Sequence, residues 1–343
     1  MRTVLSPYFD APGPARFLRR GNFVEHPDVA QRGSKILAGL EQAGCEIISV
    51  LPCELDLHPY ILAVHDKAYV KYLENAWSNW SQMPDASTEI VPNIFPHRQI
   101  AQFNDNPVAM AGWYIADCAA PIGEYTWRNA LGSVSAVIAG VTCLREGDAA
   151  IYTLCRPSGH HASQDKAMGM CFLNNAAIAA QELRKQFSKV AILDIDMHHG
   201  NGTQQIFYQR RDVFTISIHG HPANFYPFYT GFDSERGAGA GEKYNLNIPL
   251  PPGTNEAAYI PALEQAIEVI SNFKAEASIV ATGFDTFKSD SLGCFALEST
   301  SYNEIGRKIK SLQLPTLFVQ EGGYYVAALD ENVRQLVTGF ENA

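Results

Sequence analysis

The sequence predicts an α/β fold: one domain, residues 1–343, with a central parallel sheet and helices on both faces. Short apolar runs rich in β-branched residues alternate with longer amphipathic stretches. The short runs are almost continuously apolar, as strands covered on both faces must be. No linker or composition shift divides the 343 residues, and 46% hydrophobic content supplies a large core.

Residues 2–5, 150–154, 189–194, 213–219, 277–282 and 316–320 carry the strand pattern. Helical periodicity covers 28–43, 129–144, 174–186, 255–273 and 301–311. In such sheets ligands gather beyond the carboxyl ends of the strands. The 81–106 segment has no period and is interrupted by Pro84, Pro92 and Pro96, which marks a functional or contact loop. The Gly237–Gly241 cluster lacks the order of a phosphate-binding loop and reads as a turn.

A formal charge of −10 disfavours nucleic acid and favours small cations. The cysteines (Cys45, Cys53, Cys118, Cys143, Cys155, Cys171, Cys294) include no C-x-x-C pair, so neither a disulfide framework nor a zinc ribbon is expected. Prolines and charges occupy residues 1–20, where a signal peptide needs an apolar run. No stretch reaches the roughly 18 apolar residues of a membrane span. A reducing, cytoplasmic setting without a membrane partner is expected.

The chemistry concentrates after the apolar runs. Asp194, Asp196 and His198 follow one strand at a spacing of two, which aims them to one side if the strand persists. A carboxylate and an imidazole at a strand tip suit a divalent ion bound through nitrogen and oxygen. Asp285, after another apolar run and Gly283, is the candidate third ligand of a catalytic site that keeps one position open. His160 and His161 stand on a Pro/Gly turn after 150–154 and suit a general base beside a cationic partner. Tyr324 follows Gly322-Gly323 and suits an oxyanion donor.

Together, RPSGHHA (156–162), GMCFLNN (169–175), LDIDMHHGNGTQ (193–204), SIHG (217–220), GFDTF (283–287) and EGGY (321–324) resemble the histone deacetylase branch of the arginase–deacetylase superfamily. The early segment His65-Asp66-Lys67-Ala68-Tyr69 is similar as well. The resemblance runs in order along nearly the whole chain. It implies the arginase–deacetylase fold, with zinc on Asp196, His198 and Asp285, His161 as general base and acid, His160 as electrostatic partner, and Tyr324 as carbonyl polariser. It further implies that Asp194 holds His160 and, with Ser217, helps bind a structural potassium ion. Arg32 matches an arginine that lines an internal acetate channel.

Within that family the chain looks closest to acetylpolyamine amidohydrolases, in length, in Gly-Asn-Gly after the histidines, and in the long 81–106 insertion. This implies a small cationic acetylated amine as substrate and a homodimer whose insertion narrows the entrance. The implied substrate-binding set is Gly169, Met170, Tyr226 and Asp117. Ala119 stands where the pattern puts an acidic reader of the distal amine, with Asp117 and Asp105 nearby. Asn201 replaces the aspartate that backs the second histidine in many relatives, which eases keeping His161 neutral. Met170 replaces an aromatic channel wall, and Ser158 a proline. The alternatives are a protein acetyl-lysine deacetylase, a non-catalytic acyl-amine binding protein and a two-metal ureohydrolase. The last needs carboxylates beyond the single set and Asp194.

Overall fold

A computed structural model describes residues 1–50 and 56–343, so Cys53 lies outside the described residues. The strands are β1 (Arg2–Leu5), β2 (Arg16–Arg19), β3 (Asn22–Glu25), β4 (Glu46–Ser49), β5 (Ala150–Leu154), β6 (Val190–Asp194), β7 (Val213–Gly220), β8 (Asn245–Leu250), β9 (Ala277–Thr282) and β10 (Thr316–Gln320). The helices are α1 (Ala30–Gln42), α2 (His58–Leu62), α3 (Lys67–Trp80), α4 (Pro107–Tyr114), α5 (Thr126–Arg145), α6 (Asn175–Leu183), α7 (Asn201–Phe207), α8 (Glu256–Phe273), α9 (Ser299–Lys310) and α10 (Leu329–Glu341).

Eight strands form one sheet in the order β4-β1-β5-β10-β9-β6-β7-β8, and each neighbouring pair is parallel. β2 and β3 make a separate antiparallel hairpin. The period of two sorts side chains to the two faces. On β9, Ile279 and Ala281 join one core with Val134, Val137 and Ile178, while Val280 joins the other with Leu263, Ile305 and Val333. On β6, Ile192 faces the first core and Ala191 and Leu193 the second. Burial on both faces explains why β5, β6, β9 and β10 read as unbroken apolar runs.

The elements without a clear sequence signal sit at the margins. β4 is a four-residue edge strand, exposed at Glu46 and Ser49 and half-buried between. β8, the other edge, contains Asn245, Asn247 and Pro249, residues that disfavour a central strand and that an edge tolerates. The 81–106 segment is irregular, as expected, apart from short turns and one antiparallel bridge between Ile90 and Ile122. It ends where the Asn106 side chain accepts the Val108 amide and caps α4. Gly239–Gly241 forms a short 3-10 turn. No described helix is long and apolar enough to cross a membrane, and six cysteines among the described residues are unpaired.

The topology decides where chemistry can occur. β5, β10, β9 and β6 are consecutive neighbours at the middle of the sheet, and each of the candidate motifs 156–162, 193–204, 283–287 and 321–324 begins within two residues of one of their carboxyl ends. Four loops distant in sequence therefore open side by side.

α9 and α10 cross at close range through Gly306 and Gly339. A Cβ at Gly339 would run into the Asn303 carbonyl, and one at Gly306 into the Leu336 carbonyl. Gly339→Ala should therefore destabilise the protein by about 1–3 kcal/mol through overpacking, although alanine is intrinsically the better helix former. Urea unfolding is the check; a change below about 0.5 kcal/mol, the scale of an ordinary surface substitution, would mean that the helices separate freely.

Candidate active site

β6 ends at Asp194, so strand geometry does not carry Asp196 and His198. Instead the chain folds back in two successive turns. The Asp196 amide donates to Asp194 Oδ1 (3.0 Å) and the His198 amide to Asp196 Oδ1 (2.9 Å). Two neighbouring loops then fix the carboxylates. Gly322 N donates to Asp196 Oδ2 (2.8 Å), and Met197 N donates to Asp285 Oδ1 (2.9 Å). A side chain at Gly322 would meet both Asp196 and Asp285, which explains glycine there.

The outcome is a buried trio of Asp196, His198 and Asp285 with ligand atoms within 4.8 Å of one another. His198 Nδ1 lies 3.2 Å from Asp196 Oδ1 and 3.0 Å from Asp285 Oδ2. Burial and the nearby Asp196 charge push Asp285 up to about 7. Burial opposes charge on His198, but its hydrogen bonds to Asp196 and Asp285 outweigh it and raise the imidazole to about 10. Two crowded carboxylates out of water call for a cation. One imidazole nitrogen with two carboxylates is a donor set that fits zinc with a position left open.

The histidine turn packs against this trio. His160 Nδ1 lies 2.9 Å from Asp194 Oδ2, and its Nε2 3.8 Å from Asp196 Oδ1. Burial works against a charge on His160, yet Asp194 and Asp196 overcome it and hold the imidazolium well above the usual range. His161 is the reverse case. Burial, reinforced by His160 and His198, keeps it well below the usual range and therefore neutral. Its Nδ1 sits 2.7 Å from Asn201 Oδ1, while the Asn201 amide group donates to the Met168 sulfur (3.3 Å). With the amide so oriented, Nδ1 carries the hydrogen and Nε2 keeps its lone pair. The first amides of α7, Gly202 N and Thr203 N, donate to the His160 carbonyl and fix the turn (3.0 and 3.1 Å).

Around His161 stand Tyr226, edge-on with ring centroids 5.1 Å apart, and Gly169, where a Cβ would strike the imidazole. Phe225 stacks on His198 at 5.3 Å. Met170 takes a left-handed backbone (φ 66°) and lines a small cavity with Asp28, Arg156 and Phe172. Asp117 accepts hydrogen bonds from Tyr226 and from the Gly169 amide, whereas Asp105 is exposed in the irregular segment. Ser217 is the register partner of Asp194 and bonds through its hydroxyl to His219 Nδ1 (2.8 Å).

The Tyr324 turn is held from both sides. The Tyr324 amide donates to Asp290 Oδ2 (2.6 Å), and the Arg32 guanidinium lies 4.7 Å over the Tyr324 ring. Burial raises the phenol well above its ordinary pKa and keeps it a donor. Arg32 also donates to the carbonyls of Glu321 and Gly323. Asp28 pairs with both Arg32 and Arg156, so one carboxylate joins the Tyr324 turn to the histidine turn. Glu321 makes a second link, accepting from Gly159 N (2.7 Å) and His160 N (3.2 Å). Sequence reading passed over Asp28, Asp290 and this use of Glu321; the carboxylate inside an apolar EGGY turn was the only available signal.

Such a site combines a cation-demanding trio, a neutral base, a charged imidazole and a phenol donor, a set suited to amide hydrolysis. A profile of the histone deacetylase domain matches residues 26–340. The chain belongs to the histone deacetylase family. It is 41% identical over 341 residues to an acetylpolyamine amidohydrolase of Burkholderia pseudomallei (strain 1710b), covering 99% of this chain and 98% of that protein. An acetylpolyamine amidohydrolase of Mycoplana ramosa is 38% identical, with 99% of each chain covered. The crystal structure of the acetylpolyamine aminohydrolase from Burkholderia pseudomallei, from an iodide soak, superposes with a TM-score of 0.95 at 39% identity, covering 99% of this chain and 98% of that one. The α/β fold with its central parallel sheet is thus the fold of that structure.

Asp28 generates a prediction. Burial opposes its charge, but Arg156 and Arg32 lower it from 3.8 to about 2. Because the folded value is the lower one, its stabilisation is present above 3.8 and is lost as pH falls through about 2. Asp28→Ala leaves two buried guanidinium groups unpaired and should cost about 3–5 kcal/mol at pH 7, measured by denaturant unfolding. Wild-type stability at pH 7 in the variant would remove Asp28 as a structural link.

Proposed function

We propose that this chain is a zinc-dependent deacetylase that hydrolyses acetylated polyamines or related N-acetyl amines to the free amine and acetate. The observation that carries the reading is the buried Asp196–His198–Asp285 trio beside a neutral and a charged imidazole. The similarity to acetylpolyamine amidohydrolases over 99% of the chain supports the substrate class, as does the net charge of −10.

Asp196, His198 and Asp285 would hold the zinc. Zinc, when bound, supplies Lewis-acid polarisation of the acetyl carbonyl and acidification of the attacking water. The protein's own groups do the rest. His161 Nε2, left as an acceptor by the Nδ1 bond to Asn201, takes the proton of the water as it adds to the carbonyl carbon. The Tyr324 hydroxyl donates to the oxygen on which charge develops. His160, fixed as imidazolium by Asp194, stabilises the same negative charge without exchanging its proton. His161 then returns the proton to the amine nitrogen, the C–N bond breaks, and acetate and amine leave. Gly169, Met170 and Tyr226 line the approach to the carbonyl in this reading.

Asp194 and Ser217, facing each other at the register step between β6 and β7, would contribute to a structural potassium site. Removing potassium should then lower the thermal stability while the zinc content stays constant. A homodimer formed through 81–106 in a cytoplasmic protein completes the proposal. Its support is the exposure of Ile94, Phe95, Ile100 and Phe103 in one short stretch, with Ile100 at 83%.

The deciding experiment is a substrate panel of acetylputrescine, acetylcadaverine, acetylspermidine and acetyl-lysine peptides. A peptide preference would replace the polyamine reading with protein-lysine deacetylation. Asp196→Ala, His198→Ala and Asp285→Ala should each lose metal and activity; folded Asp285→Ala with full zinc content would overturn the ligand assignment. Tyr324→Phe should keep zinc and fold while kcat falls by the equivalent of about 2.7–4 kcal/mol. An unchanged kcat with a raised KM would reduce Tyr324 to a binding role. Shortening 81–106 should give a monomer by mass in solution and raise activity on peptides relative to acetylpolyamines.

A further inference from the structure

Asp117 lies in the loop between α4 and α5, half-buried, and it joins three segments that are remote in sequence. Its Oδ2 accepts the Tyr226 hydroxyl at 2.6 Å. Its Oδ1 accepts the Gly169 amide at 3.3 Å and the Ala119 amide at 3.0 Å. Tyr226 and Gly169 both touch the face of His161. The Tyr226 ring stands at 90° to the imidazole, 5.1 Å between centroids. At Gly169 (φ 54°), a Cβ would come within 2.5 Å of the His161 ring and 2.7 Å of the Tyr226 hydroxyl.

We infer that Asp117 is a positioning residue that ties the Tyr226 and Gly169 walls together beside His161, and is not the group that reads the distal amine of the substrate. The carboxylate spends both oxygens on three protein donors, and the bond to the phenol is the short, charge-assisted kind. A phenylalanine in place of Tyr226 would offer no handle of this type. The hydroxyl thus converts a rotatable ring into a fixed wall. Gly169 completes the wall by leaving room for ring and imidazole to meet. Burial raises the Asp117 carboxyl above its ordinary range, and the hydrogen bonds from Tyr226, Gly169 and Ala119 work the other way, toward the ionised form.

The inference rests on the deacetylase reading of the site, and two readouts separate them. The first compares acetylputrescine with N-pentylacetamide, which has the same length and no charge. Asp117→Ala should lower kcat/KM by roughly ten- to a hundredfold, the scale of one hydrogen bond to a charged group, and by the same factor for both compounds. Asp117→Asn, which keeps an acceptor oxygen for the Gly169 and Ala119 amides, can donate its NH2 to the phenol oxygen and loses the charge, should recover most of that loss on both. Tyr226→Phe should fall by a similar factor, and adding Asp117→Ala to it should cost little more. The second readout needs no turnover. Amide hydrogen exchange around Gly169 should accelerate in Asp117→Ala and much less in Asp117→Asn. A loss confined to acetylputrescine, full additivity with Tyr226→Phe, or unchanged exchange at Gly169 would each overturn the positioning role. Wild-type protein inactive on both compounds would instead overturn the acetylpolyamine reading, with hydrogen exchange still testing the Asp117 link.

Discussion

Charge balance without solvent is the constraint on which the rest of this structure depends. Asp194, Asp196, Asp285 and Glu321 are packed with His160, His161 and His198 at the middle of the sheet, all of them buried. Carboxylates taken out of water need compensation from partners within the protein or from a cation. Asp194 finds it in His160, and Asp28 finds it in Arg32 and Arg156. Asp196 and Asp285 share His198, with His160 Nε2 3.8 Å from Asp196 as the other imidazole nearby, and Glu321 keeps one oxygen without a hydrogen bond among the described residues. The same imbalance separates the tandem histidines. Adjacent rings 4.1 Å apart cannot both be charged cheaply, so the one beside a carboxylate keeps the proton and the one beside an amide does not.

Backbone amides share the work. Gly322 N, Met197 N, His198 N, Gly159 N and His160 N each point at a carboxylate of the site. These donors come from loops, whose amides are free because no strand or helix claims them. The loops are thereby stiffened by the groups they present. Glycines at 322 and 283 let the backbone come this near to Asp196, where any side chain would displace it. Precision in the site thus comes from short polar contacts between loops, above a sheet whose apolar packing only brings the loops into range.

Much of this was readable in the sequence, for a physical reason. The central strands are buried on both faces, so their residues are apolar without interruption and their ends are abrupt. Polar residues such as Asp196, His198, Asp285 and Tyr324 stand out directly after them. Edge strands lack that contrast, and β8, with two asparagines and a proline, did not read as a strand. The spacing argument also had a limit: Asp196 and His198 are placed by side-chain turns after β6 has ended, not by an extended strand. The Asp28–Arg32 pair is four residues apart, but the links of Asp28 to Arg156 and of Asp117 to Gly169 and Tyr226 were illegible because those partners lie more than fifty residues away. No local pattern records such a pairing.

The strand order also dictates when the molecule becomes itself during synthesis. β10 is the last strand made, yet it lies between β5 and β9. Without β10, β4-β1-β5 and β9-β6-β7-β8 share no strand pairing, and β5 and β9 each lack a neighbour on their inner edge. Its insertion joins the halves and delivers the Tyr324 turn in the same motion. The 156–162 loop follows β5, and the 193–204 and 283–287 loops follow β6 and β9, so β10 stands between the two groups in the sheet. The pairing of β10 with β5 and β9 and the placing of the Tyr324 turn are therefore one requirement, and a change that loosens β10 acts on sheet and site together.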